Sequence, residues 1–270
     1  MDFSKVKLVV TDMDGTLLNS KSEVSANFFH LYKKLKNHNI EFIAASGRQY
    51  FSIVDRFVSI KDEITIVAEN GAFAMHGDTE LFTLELPSEY ISKSIDILRN
   101  LENVYVVLCG KKCAYIETKD EEFVSMFKNY YSEYKIVDDL TKITNDTFFK
   151  IAAFHFECSE THIYPAVKQF ENELQVIVSG EHWLDISHPN ANKGYALNIL
   201  QNKLGITKEE TMVFGDYNND LKMLVLADFS YAMENAHPNV KNAAKFQTKS
   251  NDNEGVEYIL EQLINSRKLI

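Results

Sequence analysis

The stretch Val9-Val10-Thr11-Asp12-Met13-Asp14-Gly15-Thr16-Leu17 limits what this chain can fold into more than any other segment. A largely apolar run from Val6 to Val10 stops at two aspartates one residue apart, followed by glycine and threonine. A buried parallel strand looks like this when it delivers acids to the carboxyl edge of a sheet, where open α/β folds bind ligands. Residues i and i+2 of an extended segment can point the same way, so Asp12 and Asp14 can converge on one small volume. Two acids that close repel unless a cation or a shared proton neutralises them. Taken alone, the pattern equally fits a strand ending in an Asx-Gly turn.

The rest of the chain supplies the context. Strands at Lys7 to Asp12, Ile40 to Ser46 and Ile64 to Glu69 alternate with helical spacings at Val24 to Asn37 (apolar Phe28, Leu31, Tyr32, Leu35) and Tyr50 to Val58. Such alternation predicts a doubly wound parallel sheet. From about Leu84 the rhythm changes. Helices are expected from Pro87 to Leu101, Glu121 to Tyr131 and Ile163 to Leu174, and strands at Val104 to Leu108, Cys113 to Glu117, Phe148 to Phe156, Gln175 to Val178 and Trp183 to Ser187. After Lys193 the alternation resumes: a helix to Leu204, strand Thr211 to Gly215, helix Asp220 to Ala227, strand Phe229 to Ala232 and a closing helix Glu254 to Ser266. The predicted fold class is α/β: a doubly wound, Rossmann-like core made of 1–83 and 188–270, with an α+β cap, 84–187, inserted between the two halves.

Composition removes several function classes. A net charge of −11 argues against nucleic acid as a partner, because neutralising phosphates needs a basic surface. It leaves open a small phosphorylated substrate, which needs only a local positive site. Cys109, Cys113 and Cys158 are too few for a disulfide framework and form no Cys-x-x-Cys pair, so free thiols in a reducing cytosol are expected. No charged leader opens the chain and no apolar run nears the roughly 20 residues of a membrane helix, so the expectation is a cytoplasmic protein away from membranes. No protein partner is inferable. The eight histidines show no ligand spacing such as His-x-x-x-His and are assigned to surface or core, and Lys111-Lys112 to a solvated turn. Trp183 and nearby tyrosines are read as cap core before substrate contacts.

Four segments share one property: an apolar run, or a helix start, carries polar residues suited to phosphate or metal. They are Asp12 to Thr16, Ala45-Ser46-Gly47-Arg48, Asn192-Lys193-Gly194, and Gly215-Asp216-Tyr217-Asn218-Asn219-Asp220. Singly, they fit an N-cap, a solvated lysine or a capping loop just as well. Their recurrence in this order is harder to obtain by accident. With Glu69-Asn70-Gly71-Ala72 they give a pattern that resembles the haloacid dehalogenase (HAD) superfamily, specifically Cof-type phosphatases with an inserted α/β cap, and most closely bacterial sugar-phosphate phosphatases. The resemblance runs from Val6 to the end, with the cap least constrained.

That resemblance implies a Mg²⁺-dependent phosphoric monoester hydrolase acting on small phosphorylated metabolites, with sugar phosphates as the expected substrates. Asp12 would be the nucleophile that becomes an aspartyl-phosphate. Asp14 would be the acid/base for the leaving oxygen and then for water. The metal ligands would be the Asp12 carboxylate, the Asp14 backbone carbonyl and the Asp216 carboxylate. Ser46 and the Gly47 amide would hold the phosphoryl oxygens, aided by a helix start. Lys193 would neutralise developing charge, Asn219 would bind a phosphate oxygen, and Asp220 would hold Lys193 or a metal-bound water. A phosphomutase on the same scaffold and a catalytically silent phosphate sensor are the alternatives; the second is hard to reconcile with both a nucleophile and an acid.

Overall fold

The computed structural model describes residues 2–267. The segments before residue 84 and after residue 193 share one eight-stranded sheet. Its strands are β1 (Leu8–Asp12), β2 (Glu41–Ala45), β3 (Thr65–Ala68), β4 (Phe73–His76) and β5 (Thr79–Thr83), then β12 (Thr211–Gly215), β13 (Phe229–Ala232) and β14 (Phe246–Gln247). They lie in the order β14-β13-β12-β1-β2-β3-β4-β5. The first six in that order run parallel, and β4 and β5 add an antiparallel hairpin at one edge. β1 is buried throughout, as expected of a parallel strand covered on both faces.

The chain winds outward from β1 in both directions, so the switch of strand order falls between β1 and β12. Crevices at such points are where open α/β sheets bind ligands. Thr11 stands opposite Phe214, so Asp12 and Asp216 leave adjacent strands at the same edge. Two helices feed that edge. Helix Ala26–Asn37 is capped by Ser25, whose Oγ accepts from the Phe28 amide at 3.0 Å, and it buries the apolar stripe read from the sequence. Helix Lys193–Leu204 is capped by Asn192, which accepts from the Tyr195 amide at 2.9 Å and so fixes where Lys193 begins its turn.

The second sheet is drawn wholly from the intervening residues: β6 (Val104–Gly110), β7 (Ala114–Ile116), β8 (Tyr134–Ile136), β9 (Phe148–His155), β10 (Gln175–Val178) and β11 (Trp183–Ser187), in the order β10-β11-β9-β6-β7-β8. All pairs are antiparallel except β7 with β8. Strand alternation sorts its side chains. Val106, Leu108, Ile151, Ala153, Leu184 and Ile186 pack on one side with Ile95 and Leu98 of helix Ser88–Arg99. Val107, Cys109, Ala152 and Phe154 pack on the other with Phe123 and Phe127 of helix Glu121–Phe127. Lys150 and Asp185 belong by parity to this second side, which turns toward the first sheet.

Several local expectations are corrected. The core half before residue 84 carries five strands rather than three, because the short polar turn at Gly77-Asp78 closes a hairpin after β3. The helix expected over Tyr50 to Val58 ends at Val54, and that over Glu121 to Tyr131 ends at Phe127. The segment expected as one helix from Ile163 to Leu174 is broken into short turns at 164–167 and 168–170, which follow a separate turn at 159–162. Pro165 lacks the N–H that would continue the preceding turn into the next. Helix Asp220 to Ala227 shrinks to Leu221–Leu224. Lys111 and Lys112 do lie on an exposed bend as expected, where Lys111 pairs with Glu80 of β5 and Lys112 donates to the Asn145 carbonyl. Cys109 and Cys113 are buried and Cys158 half-buried, all as free thiols. Among the described residues no helix is long and apolar enough to cross a membrane.

Candidate active site

The edge of the first sheet at β1 and β12 forms the floor of a cleft of about 420 Å³, and the second sheet forms its roof. Asp12, 5% exposed, ends β1 and accepts a hydrogen bond from Lys193 Nζ. Lys193 is fully enclosed and donates again to Asp220 Oδ1 at 2.6 Å. Asp220 Oδ2 accepts the backbone amides of Asp216 and Tyr217, at 2.9 and 3.1 Å. Asp220 therefore ties the lysine to the loop that presents Asp216. Thr16 Oγ1 donates to Asp216 Oδ1 at 3.1 Å, linking that loop back to the turn after β1. Gly15 makes this approach feasible: its φ is +73°, and a Cβ there would lie 2.3 Å from Asp216 Oδ2.

Carboxylate oxygens of Asp12, Asp216 and Asp220 all lie within 4.8 Å of one another. Three acids thus face one lysine. Burial, with Asp220 adding to it, pushes the Asp12 carboxyl well above the usual carboxylate range against the pull of Lys193. Burial and then Asp220 raise Asp216 to about 6. Lys193 is held charged: burial opposes its charge, but Asp12 and Asp220 outweigh it. Such an excess of buried negative charge fits an oxygen-preferring divalent cation. Asp220 has both oxygens committed to protein donors, which leaves the Asp12 and Asp216 carboxylates as the better placed ligands.

The second half of the floor is the loop after β2. The Ser46 amide donates to Val67 O at 2.9 Å and the Arg48 amide donates to Ser46 Oγ at 3.1 Å, a serine turn that fixes the hydroxyl. Gly47 is packed against Asn70: a Cβ there would lie 2.9 Å from Asn70 Oδ1. The expected help from a helix start is corrected, since the short helix begins only at Tyr50, beyond Ser46 and Gly47. Asn219 lines the cleft, and its Nδ2 donates to Asn70 Oδ1 at 3.1 Å. Asp14 is half-exposed, and Arg48 grips both its oxygens, at 2.7 and 2.6 Å.

Arg48 also reaches the roof, donating to the Asn129 carbonyl at 3.0 Å. Beside it, Gln49 and Glu133 exchange two hydrogen bonds at 2.9 and 3.2 Å, and Ser132 Oγ donates to Asp55 at 2.6 Å. The strip 129–133 is thereby clasped to the floor. The roof over the cleft is aromatic, with Tyr130, Tyr131, His182 and Trp183 lining it and Trp183 packed edge-on against Phe154 at 4.8 Å. Trp183 therefore both packs against the core on the second sheet and borders the cleft. Two histidines do come together beside the second sheet, where His155, Glu157 and His162 place ligand atoms within 4.8 Å of one another. The two rings stack nearly parallel at 4.0 Å, however, so their in-plane lone pairs do not converge on one point.

Two buried charges escaped the motif reading. Lys150 of β9 and Asp185 of β11 line the cleft from above. Their signal was present in the sequence: each is a charged residue inside an apolar strand, Phe-Phe-Lys-Ile-Ala-Ala and Trp-Leu-Asp-Ile.

Comparison with known proteins agrees with this architecture. The family profile for haloacid dehalogenase-like hydrolases matches residues 9–260. A 5-amino-6-(5-phospho-D-ribitylamino)uracil phosphatase of Escherichia coli is 32% identical over 96% of both chains. A crystal structure from Streptococcus mutans superposes with a TM-score of 0.89 at 32% identity, over 96% of this chain and 99% of that one. A haloacid dehalogenase-like hydrolase from Bacillus subtilis gives 0.83 at 27%, over 96% and 100%. The chain belongs to the haloacid dehalogenase superfamily, among its Cof-type phosphatases. It is a phosphoric monoester hydrolase of small phosphorylated molecules.

Proposed function

We propose that the protein is a Mg²⁺-dependent phosphatase for sugar and sugar-alcohol phosphates that works through an aspartyl-phosphate on Asp12. The observation that carries this reading is the quartet at the floor: Asp12 and Asp216 side by side, Lys193 buried between Asp12 and Asp220, and an open cleft above them. The Asp12 and Asp216 carboxylates, with the Asp14 backbone carbonyl, would hold the cation. When bound, it would screen the repulsion between an attacking carboxylate and an anionic ester.

Asp12 would attack phosphorus while Ser46 Oγ–H and the Gly47 amide hold the transferring oxygens and Lys193 offsets the charge that grows on them. Asp14 would protonate the departing alkoxide and later take a proton from water. Because Arg48 engages both Asp14 oxygens, this role requires the pair to part when substrate enters. Parting would also loosen the bond from Arg48 to Asn129, so substrate entry and opening of the 129–133 clasp would be coupled. Asn219 would contact phosphate only after releasing Asn70.

The core would thus bind the phosphoryl group, and the cap 84–187 would read the alcohol. Support for a polyol or sugar ester comes from the Escherichia coli relative, whose substrate carries a phosphoribityl chain. An aromatic roof that includes Tyr130 and Trp183 suits a leaving group with a planar or apolar face. The test is phosphate release by purified protein with Mg²⁺ against sugar phosphates, 5-amino-6-(5-phospho-D-ribitylamino)uracil, nucleotides and phosphoserine. Preference for the sugar and ribityl esters is expected. Equal or better turnover of nucleotides or phosphoserine would refute the substrate class, and transfer of phosphate between sugar positions without release would replace hydrolysis by a mutase reaction.

A further inference from the structure

Lys150 stands on the cap, is 3% exposed and has three neighbours. Its Nζ donates to the Gly47 carbonyl at 2.9 Å and to Asp185 Oδ2 at 3.3 Å, and lies 3.2 Å from Glu69 Oε2. Neither Glu69 oxygen receives an aligned hydrogen bond, so the lysine's directed donors go to Asp185 and to Gly47. Asp185 Oδ2 also accepts from Asn70 Nδ2 at 2.9 Å, which sets Asn70 against Gly47.

The Gly47 carbonyl belongs to the same peptide unit as the Arg48 amide, and that amide donates to Ser46 Oγ. A cation on the carbonyl end polarises the whole peptide and strengthens the bond at its N–H end. With its lone pair engaged there, the Ser46 hydroxyl has its own proton free for an acceptor in the cleft. The links run from Lys150 to the Gly47–Arg48 peptide, to Ser46, to a phosphoryl oxygen.

Resting on the phosphatase reading above, we propose that Lys150 is a positioning residue of the cap that sets the Ser46-Gly47 phosphate loop in its catalytic geometry. The cap then does more than select the alcohol and exclude water. Its seating brings Lys150 onto Gly47 and completes the donor set, so the loop is fully organised only beneath a docked cap. Catalytic hydrogen bonds placed this way act on developing charge and give little to ground-state binding.

The test compares Glu69→Gln with the double variant Glu69→Gln/Lys150→Met, so that removing the lysine does not strand the Glu69 carboxylate. Lys150→Gln in the same background serves if the methionine variant fails to fold. Turnover of p-nitrophenyl phosphate with Mg²⁺ is read beside calorimetric affinity for orthovanadate, a trigonal-bipyramidal phosphoryl mimic. Deleting one direct oxyanion donor costs about 10²- to 10³-fold in turnover, and an indirect one should cost about 10- to 100-fold. The expected result is that loss in kcat, a matching loss of vanadate affinity, and little change in KM. A folded variant with kcat and vanadate affinity within about threefold of its parent would overturn the proposal, as would a change confined to KM. Vanadate binding needs no turnover. A wild-type protein that binds vanadate yet hydrolyses nothing would therefore count against the phosphatase reading, leaving the vanadate comparison to judge Lys150.

Discussion

Lys193→Met is the perturbation that most directly tests the electrostatic account of the floor. The side chain is fully enclosed and stands between the buried carboxylates of Asp12 and Asp220. Methionine fills similar volume, so no large cavity opens, and the change isolates charge. Removing one partner of a buried ion pair costs about 3–5 kcal/mol, because the remaining charge is left without compensation. Here two carboxylates lose their cation, and Asp216 stands beside them. For a chain of this size about 1 kcal/mol moves Tm by roughly 2–4 °C, so the metal-free variant should melt on the order of 10 °C below wild type. Divalent cation should recover part of that loss, and the Tm gain on adding millimolar Mg²⁺ should exceed that of wild type by several degrees. Turnover should fall by about 10²- to 10³-fold, since a charge aimed at the transition state is gone. Melting in chelator and in Mg²⁺, followed by circular dichroism, with phosphate release measured on the same preparations, gives all three readouts. A metal-free variant as stable as wild type would refute the reasoning, as would an equal Mg²⁺ shift in both proteins.

Asp12→Asn should abolish phosphate release while leaving the fold intact, and intact-mass measurement after rapid quench should detect a phosphorylated form in wild type only. Chelation should silence the enzyme and Mg²⁺ restore it, since clustered carboxylates without nearby thiols favour a hard cation; full activity in metal-free protein would contradict this. For pH, folded metal-free protein holds the Asp216 proton up to about 6 against an ordinary value of 3.8, so unfolding releases a proton in that window and stability falls as pH rises through it. Mg²⁺ requires the ionised form. Its apparent affinity should therefore rise with pH through about 6 in calorimetric titrations, and Asp216→Asn should flatten that rise. Exchanging residues 84–187 for the cap of a relative with another preference should move the substrate profile toward that relative; an unchanged profile in a folded, active chimaera would return specificity to the loops around Arg48, Asn70 and Tyr217.

Much of the core was legible because its determinants are local. An apolar run closed by acids and glycine reads as a strand end, and capped periodic segments such as Ser25 to Asn37 read as helices. The quartet of Asp12, Lys193, Asp216 and Asp220 was legible as motifs, although Asp220's service to two amides and a lysine is a tertiary fact. The hairpin β4–β5 was missed because Phe73 to Thr83 carries no clean alternation. The run Ile163 to Leu174 was over-read as one helix because its apolar spacing survives in a string of separate turns. The Lys150, Asp185 and Asn70 network was not readable from spacing. Its members come from two sheets and meet only when one sheet sits on the other; a lone charge in an apolar strand marks that something must pair with it, but not what.

The position of β1 has a consequence for how the molecule is made. β1 is made long before β12, yet its neighbours in the finished sheet are β2 and β12, and the partners of Asp12 are Lys193 and Asp216. The cap sheet is one uninterrupted stretch and can close on itself while synthesis continues, whereas the first strand must keep one edge unsatisfied until residues 211–215 arrive. Exposed edges of that kind invite pairing with the wrong chain. The same delay has a protective side: a chain that has made β1 already carries Asp12, the proposed nucleophile, but without Lys193 and the Asp216 loop that carboxylate would lack the partners its proposed chemistry needs. The site can be assembled only once residues 193–220 have been made.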